Sequence, residues 1–340
     1  MQADTSGDIP APTPSPEGRT VRRPSTLPRR AARAGGGPSL LAPGAAHDPY
    51  RLYRVLREEY PLTYDAPLGA WLVSRHDDVA TALTDPRFAG FPHDGAPRGG
   101  PAPLGLCHGS ARCLPRDRYA VAAGSVPAHL ASRVERTAYV LARRIAGRPQ
   151  ADLVEEFCRW LPVGAGAGAG TRAAADAGPC TRHTGLRETA LASLLANLLD
   201  DPDLLAALRI EPALTGRAWT ESLRRDPPVQ VVLRRTVAEV TLSGGTLPAG
   251  APVACLIGSA GRDPERFAAP DVFDPFRRDQ DRGTPGPAGC PAVLLGRMEA
   301  EQGLRALLDA MPALRWADGF RPAATGLLTR GPRSLLVQPG

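Results

Sequence analysis

Cys290 is placed where a sulfur could do chemistry. Gly286, Pro287 and Gly289 keep the chain irregular before it, and Val293, Gly296, Ala300, Leu304, Leu307 and Met311 recur behind it at helical spacing. A cysteine at a helix start lies where the dipole favours an anion, which stabilises a thiolate able to ligate a metal. The plain alternative is a small buried residue. Glu221 and Arg224, three apart in "AWTESLRRDPPV", share one face of a short helix and can pair. Arg277 closes the Pro-rich stretch "DPERFAAPDVFDPFR", 13 residues before Cys290. Glu188 and Thr189 set an acid beside an alcohol in "GLRETALASLLANLLDDP". "CHGSARC" offers Cys107, His108 and Cys113 to a metal, but a second ligand pair at finger spacing is missing, and Cys180 with His183 sits among flexible Gly-rich flanks.

The bulk composition narrows the partners. The 340 residues suffice for one large domain, and 43% apolar content can fill its core. All 41 basic residues are Arg, and the net charge is +6. Residues 1–45 supply +3 of it, with Arg19, Arg22, Arg23, Arg29, Arg30 and Arg33 against Asp4, Asp8 and Glu17. The remainder is near balance, which argues against nucleic acid or an acidic membrane as partner. No apolar run reaches the roughly 18 residues of a membrane span. No apolar stretch follows Arg22-Arg23 as an export signal requires. Six Cys in a chain of this length do not make a disulfide scaffold, so the expected location is the reducing cytoplasm.

These residues need elements to hold them. Residues 1–45, rich in Pro, Gly, Ala, Ser and Arg, are expected to be a disordered tail, and 46–340 one domain. "HDPYRLYRVLREEYP" reads as a helix capped by Asp48 with Pro49 in its first turn. Strand, turn (66–69), strand and a helix from near Asp77 to before Pro86 follow. "SRVERTAYVLARRIAGRPQADLVEEFCRWLPV" gives two helices separated at 147–150, and 164–178 reads as a flexible connector. A long helix broken near Pro202, the Glu221 helix, Gly-punctuated strands and short closing strands complete the chain. The expected class is mainly α with small β-sheets.

In order and spacing these stretches resemble the cytochromes P-450, heme-thiolate monooxygenases of the soluble bacterial type. "DPYRLYRVLREEYPLTYDAPLGAWLVSRHDDVATALTDPRF" resembles their first helix, hairpin and second helix. "TALASLLANLLDDPDLLAAL" is similar to the helix that crosses the heme, "ESLRRDPPVQ" to their E-x-x-R helix, "SAGRDPERFAAPDVFDPFR" to their meander and "CPAVLLGRMEAE" to the helix behind the heme cysteine. The resemblance covers about residues 48–89, 130–163 and 185–338. It implies heme b ligated through the Cys290 thiolate, which favours O–O cleavage. It implies a structural cluster of Glu221, Arg224 and Arg277, and propionate contacts from Arg235 and from His108 and Arg112. It also implies a proton relay of Glu188 and Thr189.

Two functions follow from the resemblance. The first is a monooxygenase inserting one atom of O2 into a small organic substrate, with electrons from NAD(P)H through a ferredoxin or flavodoxin. The second is a heme-free auxiliary protein that stabilises a partner biosynthetic enzyme such as a glycosyltransferase. The second draws on departures from the family pattern. Gly283, Thr284 and Ala288 stand where the family's cysteine loop has Phe, Gly and His or Arg, and Ala292 stands where it has Gly. Much of the distal helical roof over the substrate is expected to be missing, leaving the ordered part roughly a hundred residues short of a full member. An impaired oxygenase is the outcome if heme is retained without that roof.

Overall fold

A computed structural model of the chain describes residues 37–90, 128–162, 184–279 and 291–340. The amino-terminal part is built on a five-stranded sheet. Helix α1 (Tyr50–Glu59) starts one residue after Pro49, and Asp48 Oδ1 accepts from Tyr50 N at 3.1 Å. Strands β1 (Leu62–Asp65) and β2 (Ala70–Val73) form the expected hairpin, closed by Gly69 at φ +70°, a conformation that suits glycine. Helix α2 (His76–Thr84) and strand β3 (Phe88–Gly90) follow. Two later strands, β5 (Val231–Thr236) and β8 (Pro252–Leu256), complete the sheet in the order β1-β2-β8-β5-β3, with β2 and β8 parallel. Between them β6 (Val240–Leu242) and β7 (Gly245–Leu247) form a separate two-stranded hairpin whose Val240, Leu242 and Leu247 enter the core on the α2 side.

Alternation along β5 sorts its residues between two cores. Val231 joins Tyr53, Leu56, Leu72 and Ala254 on the α1 side. Val232 joins Val73, Val79, Val253 and Cys255 on the α2 side. Burial pushes the Cys255 thiol up to about 12 against the opposing pull of Arg234, so this cysteine is an inert core residue.

The second layer is helical. It comprises α3 (Ala128–Ala146), α4 (Thr184–Leu199), α5 (Pro202–Ile210), α6 (Leu214–Arg225) and α8 (Pro291–Ala310), while the short α7 (Ile257–Ala260) packs against α1 and α2 on the sheet side. Asp201 caps α5 through Leu204 N at 2.9 Å, with Pro202 as its first residue. Leu191, Leu194, Leu195 and Leu198 bury α4 in the middle of the layer, while α8 lies along α3. Strands β9 (Arg315–Trp316), β10 (Ala324–Thr325), β11 (Gly331–Pro332) and β12 (Leu336–Gln338) close the chain. Among the described residues no helix is long and apolar enough to cross a membrane.

Two expectations need correction. The tail does not extend to residue 45: Leu40 is 1% exposed in the α1-side core, and the Asp65 carboxylate accepts from Leu40 N and Ser39 Oγ, each at 2.8 Å. Residues 1–36 lie outside the described set. The second helix expected near 151–161 is instead strand β4 (Ala151–Asp152) followed by one π-helical turn (Val154–Cys158). The cause is a distant partner. Asp152 Oδ1 accepts from both Val154 N and Leu335 N at 2.9 Å, and β4 pairs with β12. Local periodicity carries no trace of a strand that arrives at the end of the chain.

Candidate functional site: a heme-thiolate centre

The best-defined part of the site is the charge cluster on α6. Glu221 is fully buried. Arg224 donates to it from Nε and Nη2 at 2.8 and 2.7 Å, and Arg277 Nε reaches both carboxylate oxygens at 2.9 and 3.0 Å. Asp274 N donates to the same carboxylate at 3.0 Å. The outer faces of the two arginines hold the backbone of the meander. Arg224 Nη1 donates to Gly261 O and Pro270 O, and Arg277 Nη1 donates to Ala268 O. Burial works against the Arg277 charge, but its bonds to Glu221 and Asp279 outweigh it and raise its pKa above the ordinary arginine value. One carboxylate thus anchors residues 261–279, the chain directly upstream of the cysteine loop.

That anchoring holds a bend no ordinary side chain prefers. Ala269 sits at φ +43°, between Ala268, whose N–H donates to Asp279 at 3.1 Å, and Pro270, whose carbonyl Arg224 takes. A left-handed alanine costs about 1 kcal/mol or slightly more. Ala269→Gly should therefore raise stability by up to about 1 kcal/mol, seen as a melting temperature about 2 °C higher by circular dichroism. A lower melting temperature would mean that the bend is not strained.

The other expected site residues are spread over the fold. Cys290, His108 and Arg112 lie outside the described residues, as do Cys107, Cys113, Cys180 and His183; α8 begins at Pro291, one residue after Cys290. Arg235 is half-buried and donates to Gly250 O at 2.8 Å. Its neighbour Arg234 is the interior residue, 3% exposed, opposite Val253 on the α2-side face of the sheet, with Nη1 donating to Leu233 O at 3.0 Å. Burial lowers its pKa, opposed by Cys255. Leu186 of α4 packs against that same core.

On α4 the acid and the alcohol part company. Glu188 faces Arg159, 3.9 Å away, and burial raises its carboxyl pKa despite that cation. Thr189 Oγ1 donates to Gly185 O one turn back at 2.8 Å, and its methyl lies against Gly331. Arg187 of α4 reaches α8 and forms a buried ion pair with Glu299. Sequence reasoning missed both Arg187 and Arg234. Among the described residues no group of three or more His, Cys, Asp or Glu could hold a metal ion.

The model of the cytochrome P450 family matches residues 213–293, from the start of α6 to the first turn of α8. Protein DesVIII of Streptomyces venezuelae is 31% identical, over 86% of this chain and 86% of that protein. The crystal structure of cytochrome P450 CYP109Q5 from Chondromyces apiculatus superposes with a TM-score of 0.70 at 22% identity, covering 87% of this chain and 96% of the other. The chain belongs to the cytochrome P450 family. The P450 fold is mainly helical with small sheets, as the sequence led us to expect, and the family is in general one of heme-thiolate monooxygenases. The pulcherriminic acid synthase of Bacillus subtilis is 33% identical, but that match spans only 43% of this chain and 39% of the relative.

The described residues of this P450 chain fit a heme in one respect. A heme edge carries two carboxylates, and Arg234 places a buried guanidinium on the sheet face against which α4 begins.

Proposed function

We propose that the chain is a cytoplasmic heme-thiolate monooxygenase acting on a small organic substrate, with electrons from NAD(P)H passed through a ferredoxin or flavodoxin. Cys290 would hold the iron, and Arg234, in place of the expected Arg235, would hold a heme carboxylate. Bound heme would supply the activation of dioxygen. The observation that carries this reading is the Glu221 lock. It grips the meander through Arg224, Arg277 and Asp274 N, in the chain that leads toward Cys290. Glu188, whose pKa burial raises, would be the acid of a proton relay, and Thr189 would be its hydroxyl partner.

A second reading is favoured by one observation: Glu188 and Thr189 bond to different neighbours, Glu188 to Arg159 and Thr189 to Gly185 O. A P450 fold without an assembled relay suits a heme-free auxiliary protein that stabilises a partner biosynthetic enzyme, such as a glycosyltransferase.

Carbon monoxide separates the two. The full chain, expressed with a heme precursor, reduced and exposed to CO, should develop a red-shifted Soret band. Cys290→Ala should abolish the band while leaving the far-ultraviolet spectrum intact. A colourless, well-folded wild type overturns the monooxygenase reading; if it also co-purifies with another enzyme, the auxiliary reading stands.

A further inference from the structure

α4 and α8 share an apolar core, Leu191, Leu194 and Leu195 with Leu295 and Leu304, and one arginine adds an ion pair between them. Arg187 and Glu299 form an ion pair whose side chains are 3% and 2% exposed. Three residues before Glu299, Gly296 leaves a notch in α8. A Cβ there would stand 3.6 Å from Arg187 Cγ and 2.7 Å from the Trp219 ring of α6. The missing side chain makes room for the Trp219 ring, the arginine stem lies beside it at ordinary contact distance, and one turn on α8 offers a carboxylate for the arginine head. The ion pair, being directional, constrains both the height and the rotation of the partner helix. The surrounding leucines pack closely as well, but only the ion pair ties one named atom of α4 to one of α8.

The rotation has consequences for the neighbouring side chains. At 3.6 residues per turn, successive side chains point about 100° apart. Fixing Arg187 on α8 turns Glu188 toward Arg159 and carries Thr189 round to Gly331. We propose that Arg187 is a positioning residue. Its pairing with Glu299, one turn from Gly296, sets the rotation of α4 on α8, and with it the directions of Glu188 and Thr189. The catalytic meaning of those directions rests on the monooxygenase reading; the rotational role does not.

The test reads rotation directly. In the full chain a Glu188→Cys reporter is labelled with a maleimide, and its rate is followed by mass spectrometry on the peptide that contains it. Cys158 on the π turn is buried, with its thiol pKa pushed up by burial, so it does not compete. The background variants are Arg187→Lys, Glu299→Gln and the double variant Arg187→Met/Glu299→Leu.

We expect the double variant to melt within a few degrees of the reporter alone, since an apolar pair can replace a buried ion pair. Its labelling rate should nevertheless change by about tenfold as α4 loses its fixed rotation, while Arg187→Lys stays within about twofold. A folded double variant with an unchanged rate overturns the proposal and reduces the pair to simple packing. If the double variant does not fold, Glu299→Gln decides: a rate change of about threefold or more sustains the proposal, and a smaller one overturns it. In heme-loaded protein without the reporter, Arg187→Met/Glu299→Leu should also shift the Soret band, and Arg187→Lys should not. A wild type that never takes up heme sinks the monooxygenase reading and leaves the labelling result standing.

Discussion

Glu221→Ala should lower the stability of the chain by about 3–5 kcal/mol, the largest effect of any single substitution in the lock. Two guanidinium groups, 2% and 6% exposed, face this one carboxylate. Removing it leaves both cations buried beside each other, with backbone carbonyls and, for Arg277, the Asp279 carboxylate to take their hydrogen bonds. The meander also loses the bond from Asp274 N. Glu221→Gln keeps the shape and one acceptor but not the charge, and should fall between alanine and wild type. In thermal melts a loss of about 4 kcal/mol appears as a drop of about 8 °C or more in a chain of this size. A fall of under about 2 °C for the alanine variant would mean that the cluster is a replaceable packing unit rather than the anchor of the meander.

That lock could be read from the sequence because its logic is mostly local. Glu221 and Arg224 are three apart on a helix, and the Pro-rich meander that brings Arg277 back has a recognisable composition. Two other features were hidden for physical reasons. In "VVLRRTV" apolar residues precede the arginines without alternation, so the sequence does not say which arginine faces inward. The register with β8 decides it, putting Arg234 opposite buried Val253 and Arg235 opposite Pro252. A slip of one residue exchanges the faces. Thr236, buried two residues after Arg234, is the only local hint of the correct phase.

Arg187 was hidden differently. Beside Glu188 it looks like an ordinary charged residue near a helix start. Its meaning lies in Gly296 and Glu299, more than a hundred residues away, and nothing local links the two segments. A glycine followed three residues later by a glutamate, on an otherwise apolar helix face, is the signal that could have prompted a search for a buried cation. The strand β4 was missed for the same reason, since its partner β12 is non-local.

The junction of α4, α6 and α8 at Gly296 also yields a prediction with two signs. Trp219 is 2% exposed with its ring against the glycine, and its Nε1 has no hydrogen-bond partner among the described residues. Trp219→Ala removes the ring and leaves a cavity between three helices, which should cost about 3–5 kcal/mol. Trp219→Phe loses less volume and also removes a buried unsatisfied donor, whose burial costs about 1–3 kcal/mol. The phenylalanine variant should therefore lie within about 1.5 kcal/mol of wild type. Gly296→Ala gains helix propensity of about 1 kcal/mol but drives its methyl into Trp219 Cζ2 and Cη2, so alone it should destabilise. Phenylalanine lacks those outer ring atoms. In the Trp219→Phe background the same alanine should cost nothing or stabilise, a coupling of at least about 1 kcal/mol in a double-mutant cycle measured by urea unfolding. Strict additivity would mean that the ring and the glycine do not bear on each other, and that the notch is open to other side chains.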